Sequence, residues 1–282
     1  MIIFRNQLEL KKYLQIGTLS KSPIGFVPTM GALHAGHLSL LEKCNEICSI
    51  SVCSIFVNPT QFNNPEDFKK YPITIEKDIL LLEENDCDVL FLPDEKEIYP
   101  DGVISKKHFD LGYLEKILEG KFRPGHFQGV CQVVEKLLNI VEPGFLFLGQ
   151  KDFQQCMVIK RLIELMHKNI QLIICPILRE ESGLAMSSRN LRLNSAERKT
   201  AAELHQALVS INNDLSENNL FALKNKALKI LENSGFIVEY LELAKRNTLE
   251  LVSDFKNKQE FIILVAAFLH EVRLIDNLLI NP

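Results

Sequence analysis

Ile24-Gly25-Phe26-Val27-Pro28-Thr29-Met30-Gly31-Ala32-Leu33-His34-Ala35-Gly36-His37 is the stretch on which the fold turns. Its first four residues lie between Pro23 and Pro28 and read as a short buried strand ended by proline. A glycine-rich loop follows from Gly31 to Gly36. From Leu38 onward, Leu40, Leu41, Cys44, Ile47 and Cys48 keep helical spacing, so a helix is expected to begin near His37.

The same alternation continues down the chain. Residues 50–57 are β-branched and apolar, a second strand that Asn58-Pro59-Thr60-Gln61 ends. A helix is expected over Ile75–Glu84 and a strand over 88–93. After a polar middle section come a helix at 130–141, a strand at 145–148, a helix at 152–168 and a strand at 170–175. Strands alternating with helices predict parallel βαβ units, hence an α/β fold with a Rossmann-like, doubly wound parallel sheet over residues 1–178. Beyond Asn190 the pattern changes. One helix is expected from a Ser195 cap to about residue 215, and a second over 220–232, closed by Gly235. Strands at 237–243, Phe261–Leu269 and 272–275 complete a second, smaller α/β domain over 179–282. The Glu180-Glu181-Ser182-Gly183 stretch reads as the hinge on which that domain acts as a lid.

Composition narrows the function classes. Of 282 residues, 46% are hydrophobic and 24% charged, which suits a globular chain with a sizeable core. A net charge of −4, no tryptophan and no basic-aromatic stripe argue against nucleic acid and anionic membranes as partners. The N-terminus lacks the basic start and apolar run of a signal peptide, and the longest apolar stretch, Phe261–Leu269, is too short to span a bilayer; a cytoplasmic protein is expected. Seven scattered cysteines without a Cys-x-x-Cys pair read as reduced thiols of the core. Zinc held by His34, His37, Cys44 and Cys48 is the sharper alternative, but those cysteines belong to the helix face expected to be buried.

In open parallel sheets, ligands bind at the carboxyl ends of the strands. Four polar clusters fall at such ends: His34 with His37, Asn58 with Gln61, Gly149-Gln150-Lys151-Asp152, and Leu178-Arg179. Together they suggest one site. Two imidazoles around a glycine at a helix N-terminus suit an anion, because free N–H groups and the helix dipole both favour phosphate there. Lys151 supplies a mobile point charge and Arg189 a flat fork for two oxygens, the second half of a phosphate clamp. Each could equally be a solvated surface cation, and Met186-Ser187-Ser188-Arg189-Asn190 a polar turn before a helix.

His34-Ala35-Gly36-His37 resembles the His-x-Gly-His signature of nucleotidyltransferases and class I aminoacyl-tRNA synthetases. The wider pattern resembles the pantothenate synthetase family. It is carried by residues 28–37, by Asn58-Pro59-Thr60-Gln61-Phe62 and Arg123-Pro124-Gly125-His126-Phe127, and by Gly149-Gln150-Lys151-Asp152-Phe153-Gln154-Gln155. Leu184-Ala185-Met186-Ser187-Ser188-Arg189-Asn190 and Arg273-Leu274-Ile275-Asp276-Asn277 extend it over nearly the whole chain. The resemblance implies an ATP-dependent ligase that joins pantoate to β-alanine through a pantoyl adenylate, releasing AMP and pyrophosphate. It implies that Met30, Gly31, Ala32, Leu33, His34, Ala35, Gly36 and His37 cradle the ATP phosphates. Gly149, Gln150, Lys151 and Asp152 would meet ATP, with Asp152 on the ribose and Lys151 on phosphate; Leu178 would contact adenine. Met186, Ser187, Ser188 and Arg189 would close over the nucleotide, and His34, His37, Lys151 and Arg189 would be catalytic. Gln61, Gln155, Asn58 and Pro28 would bind the substrates, the two glutamines holding pantoate. Gln150 stands where glutamate is common in the family, and Leu178 where valine is. Mg2+ would come mainly on the ATP phosphates; Asp78 is a candidate ligand, or else a surface helix residue. A homodimer is implied. The competing readings are another nucleotidyltransferase of the superfamily and a non-catalytic ATP sensor.

Overall fold

The apolar runs pair into a six-stranded sheet in a computed structural model that describes residues 1–18, 23–103, 107–216, 219–253, 255 and 259–280. The strands are β1 (Ile2–Phe4), β2 (Ile24–Thr29), β3 (Ile50–Ile55), β4 (Val89–Phe91), β5 (Phe145–Gly149) and β6 (Gln171–Cys175), in the order β1-β4-β3-β2-β5-β6. All neighbouring pairs are parallel, as the alternation of strands and helices predicts. Chain order runs from β2 outward to β3 and β4, then crosses to β5 and β6 on the other side. The order therefore reverses between β2 and β5, and the carboxyl ends of these two strands mark the topological switch point.

Pro28 does not end β2, which continues to Thr29 with Pro28 in register with Ser54. Phe56 N–H donates to Thr29 O, so the neighbouring residue, Pro28, turns its nitrogen toward β5. There β2 is paired only through Phe26, and the missing N–H costs no ladder bond. Two elements at the N-terminus are not legible in the sequence: β1 and the helix Gln7–Thr18. Ile2 and Ile3 sit half-exposed on a sheet edge, so the strand carries no buried apolar run to announce it. The expected core thiols are found. Cys44, Cys53, Cys87, Cys131, Cys156 and Cys175 are buried and Cys48 is partly so. Burial pushes the Cys131 thiol up to about 12 and that of Cys87 to about 11, which leaves both as un-ionised apolar side chains.

The chain divides into two units. The first comprises Met1–Gly149 and Val158–Pro176, the second Gln150–Met157 and Ile177–Pro282. The second unit holds an antiparallel sheet of β7 (Phe236–Lys245), β8 (Phe261–Leu269) and β9 (Val272–Ile280), in that order. Helices Glu203–Asp214 and Leu220–Asn233 pack against it through Leu204, Leu208, Ile211 and Leu231. The single helix expected over 195–215 is broken at Ala202 into Ser195–Ala201 and Glu203–Asp214. Its cap is Asn194 rather than Ser195. The Asn194 side chain accepts from the Ala196 and Glu197 N–H groups, while Glu197 accepts from the Asn194 N–H at 2.7 Å, a reciprocal capping box. The stretch expected as a hinge, 180–183, forms the tip of a hydrogen-bonded hairpin within this unit. Glu180 N–H donates to Leu184 O, Gly183 N–H to Glu180 O, and Met186 N–H to Leu178 O.

β9 runs on to Ile280, past the expected end at 275. One face of it, Val272, Leu274 and Ile280, joins the apolar core, yet the pleat puts Asp276 in the same row, at 4% exposure. Arg179 answers the buried carboxylate with two parallel bonds, Nη1 to Oδ2 at 2.7 Å and Nη2 to Oδ1 at 3.0 Å. Replacing Arg179 by Met would leave that charge buried and unpaired. A urea titration of Arg179→Met is expected to show a loss of about 3–5 kcal/mol in unfolding free energy, against a near-neutral result if the pair were a surface contact.

Candidate active site

At the carboxyl end of β2 the chain turns through Gly31 (φ +78°) and Ala32 (φ +49°), two consecutive residues in the left-handed region. Glycine accepts that geometry without strain, whereas alanine needs an outside restraint. The restraint is Asp78. It lies on the helix Ile75–Glu84 and is 1% exposed, neither a surface residue nor an open ligand position. Its Oδ2 accepts from Ala32 N–H at 2.9 Å, and its Oδ1 from Leu33 N–H at 2.8 Å and from Thr74 Oγ1 at 3.0 Å. Both oxygens considered for magnesium are thus committed to protein donors. Thr29 Oγ1 adds a third support, accepting from Gly31 N–H at 3.2 Å.

The loop so held delivers His34 as the N-cap of the helix Ala35–Ile47, two residues before the expected start. The His34 and His37 rings face each other with centroids 4.0 Å apart and a 31° tilt. Both are partly exposed, beside the first turn of a helix whose leading N–H groups favour an anion.

The second cluster, after β3, is built around Asn58, which is 1% exposed. Its Oδ1 accepts from Tyr99 Oη at 2.8 Å and Thr60 Oγ1 at 3.1 Å; its Nδ2 donates to Gly129 O and to Gln61 Oε1, each at 3.2 Å. Burial pushes the Tyr99 phenol up, which keeps it a donor to Asn58. Asn58 therefore shapes the turn Pro59–Gln61, while Gln61, partly exposed, reaches Met30 Sδ with its Nε2 at 2.9 Å. In this way the first unit brings together Met30, at the end of the β2 strand, and Gln61, at the end of β3; Pro28 sits two residues before Met30, partly buried. His126 fixes the same turn from below. Its Nδ1 contacts Gln61 O at 2.7 Å, an acceptor, and its Nε2 contacts Arg123 Nη1 at 3.1 Å, a donor. Those partners select a neutral ring protonated at Nδ1. Gly129 completes the support. A Cβ there would collide with Thr60 O, so the helix His126–Val141 packs directly on the turn only because residue 129 has no side chain.

Gly149 ends β5 at the switch point, and the remaining predicted residues belong to the second unit. Gln150–Asp152 form a 3-10 turn leading into the helix Phe153–Leu165, with Gln155 partly exposed on its first turn. Lys151 is largely buried and its Nζ lies 3.8 Å from Asp152 Oδ2, whose side chain is half-exposed. Asn277 grips this turn: its Nδ2 donates to Gln150 O at 2.9 Å and Lys151 O at 3.0 Å, and its Oδ1 accepts from Gln150 Nε2 at 3.0 Å. Leu178, 40% exposed, and Met186 face each other across the hairpin. Ser187 caps the 3-10 turn Ser188–Arg192, accepting from Arg189 N–H; Ser188 is buried and Arg189 partly exposed. Asn190 ties the turn down by donating to Glu180 Oε1 at 3.0 Å and Ala185 O at 3.1 Å. Arg179 joins the hairpin to β9, donating to Gly183 O at 3.0 Å as well as to Asp276. Burial, then the nearby Arg179 guanidinium, hold His205 below the usual histidine range beside this pair. Sequence reasoning names Asp276 and Asn277 within a motif and Arg179 within a polar cluster at a strand end, and assigns none of the three a supporting role.

Each half carries a phosphate-suited surface: paired imidazoles at a helix N-terminus in one unit, Lys151 and Arg189 on supported turns in the other. The Asp78 clamp generates a test. Asp78→Ala should free two buried amides, lowering unfolding free energy by roughly 2–4 kcal/mol in denaturant titration. Asp78→Asn, which retains one acceptor, should lose less.

The family model described as pantoate-beta-alanine ligase matches residues 2–279. A pantothenate synthetase of Cytophaga hutchinsonii is 45% identical over 99% of this chain and 99% of its own length, and one of Fervidobacterium nodosum is 43% identical over 97% of each. Among solved structures, a pantothenate synthetase of Thermus thermophilus superposes with a TM-score of 0.90 at 37% identity, covering 100% of both chains. A pantoate-beta-alanine ligase of Francisella tularensis, complexed with beta-gamma ATP and β-alanine, has a TM-score of 0.83 at 40% identity and covers 99% of this chain and 97% of its own.

Proposed function

The chain belongs to the pantoate-beta-alanine ligase family, and from that premise we infer that it condenses pantoate with β-alanine at the expense of ATP, by way of a pantoyl adenylate. The observation that carries the reading is the stacked pair His34 and His37 at the N-terminus of Ala35–Ile47, at the strand end where a triphosphate would meet the positive end of the helix and two imidazoles. The pantoate carboxylate attacks the α-phosphorus of ATP in line; the new C–O–P anhydride forms as the bond to pyrophosphate breaks. The amine of β-alanine then attacks the acyl carbon, the amide forms, AMP leaves and the amine gives up a proton. Nucleotidyl transfer of this kind needs alignment and charge neutralisation more than a protein nucleophile. Gln61 and Gln155 hold pantoate, with Pro28 in the adjoining wall and Asn58 acting through Gln61. His34, His37, Lys151 and Arg189 meet the phosphates, and His37 either protonates the departing pyrophosphate or neutralises it as a cation. Gly149, Gln150, Asp152, Leu178, Met186, Ser187 and Ser188 complete the nucleotide contacts in this reading.

Magnesium enters with the substrate, on the triphosphate, where it would neutralise oxygens. Among the described residues no group of three or more His, Cys, Asp or Glu side chains could hold a metal ion, and Asp78 is already committed. A cytoplasmic homodimer belongs to the same reading.

Omission of each substrate in turn tests the reaction. AMP and pantothenate should appear only when ATP, pantoate and β-alanine are all present; ATP bound but never consumed would point to a sensor, and pyrophosphate release needing another acceptor to a different nucleotidyltransferase. Separately, His37→Ala should reduce kcat by about a hundred- to a thousandfold with folding intact, as loss of a transition-state donor does. Near-normal turnover in that variant would remove His37 from the catalytic set.

A further inference from the structure

β9 sets two consecutive polar residues into a strand, and the pleat sends their side chains to opposite faces. Asp276 takes the core-facing row and holds Arg179, hence the hairpin of residues 178–186. Asn277, paired with Leu264 of β8, takes the other face and holds the turn that carries Lys151. At 1% exposure its amide is engaged at both ends: two N–H bonds go to the carbonyls of Gln150 and Lys151, and the oxygen accepts from the Gln150 side chain. Its main chain is engaged too, N–H to Asp276 Oδ1 at 2.7 Å and C=O from Arg179 Nη2 at 3.3 Å. A core asparagine placed only for stability needs none of this convergence on one lysine-bearing turn.

We propose that Asn277 is a positioning residue for the reaction: it fixes the backbone of Lys151, and through Asp276 and Arg179 it ties that turn to the loop that leads to Arg189. The proposal rests on the ligase reading, in which Lys151 and Arg189 meet the nucleotide. Its effect falls first on the nucleotide, because the Asn277 bonds end on Gln150 and Lys151, while on the pantoate side Gln61 takes its support from Asn58 and His126 and Gln155 stands further on, in the helix Phe153–Leu165.

The test uses the full chain carrying Asn277→Asp, which keeps the volume but cannot donate to either carbonyl, and Asn277→Ser as a second variant should the first fail to fold. Initial rates are measured with ATP varied and with pantoate varied, alongside thermal denaturation and calorimetric titration with ATP alone. The expected result is an ATP KM raised about tenfold or more, the loss of one to two buried hydrogen bonds, with pantoate KM changed less than about twofold. ATP affinity by calorimetry should fall in parallel. Equal changes in both KM values, or a lowered melting temperature with unchanged ATP affinity, would overturn the proposal and leave Asn277 as scaffold. Should the parent protein bind ATP yet make no pantothenate, the ligase reading falls while the ATP affinities still decide the role of Asn277.

Discussion

The loop after β2 adopts two left-handed residues in succession, a conformation that an alanine holds only under restraint. A carboxylate from forty-six positions further along the chain supplies that restraint, closing on the Ala32 and Leu33 amides from within the core. A buried carboxylate of this sort is tolerated because both of its oxygens accept from protein donors, two loop amides and the Thr74 hydroxyl. The order of causes runs outward from it: the fixed loop sets the N-cap at His34, the cap sets the helix, and the helix sets the face on which both imidazoles stand.

The second unit solves its own version of the problem with Asp276. There the buried carboxylate lies in an apolar strand face and is answered by an arginine fork beside the Asn277 amide, and what it fixes is a hairpin. In both units the groups suited to phosphate are themselves partly exposed, while the residues that orient them are almost wholly buried. Precision at the surface is set from inside, since a buried hydrogen-bonded partner has one geometry available and an exposed side chain has many.

What the sequence makes legible follows from the reach of each signal. Apolar runs such as Phe145–Gly149 and the helical spacing from Leu40 to Cys48 act over a few residues, and the alternation that predicts a parallel sheet follows from them. The loops between them, with His34, Gln61 and Lys151, are legible as motifs. Their supports are not. Asp78 to Ala32 spans 46 positions, Arg179 to Asp276 spans 97 and Asn277 to Lys151 spans 126, and no local period encodes such partnerships. Local signals also fail where two rules compete: Asn194 outcompetes Ser195 for the cap because only it places Glu197 at the reciprocal position, and Ala202, a good helix former, sits where the helix nonetheless breaks.

Gln150–Met157 count with the second unit although the chain on either side of them, Gly149 and Val158, counts with the first. The second unit is therefore discontinuous in sequence, and its inserted segment is gripped by Asn277, almost at the far end of the chain. During synthesis the turn around Lys151 leaves the ribosome 126 residues ahead of the side chain that anchors it, on the order of ten seconds at ordinary elongation rates. For that interval the first unit can build its sheet through β6, while the lysine-bearing turn waits without its clamp. Translation thus delivers a folded scaffold first and the anchored lysine-bearing turn last, and a nascent chain cut short before β9 would carry the whole parallel sheet without that turn ever being set.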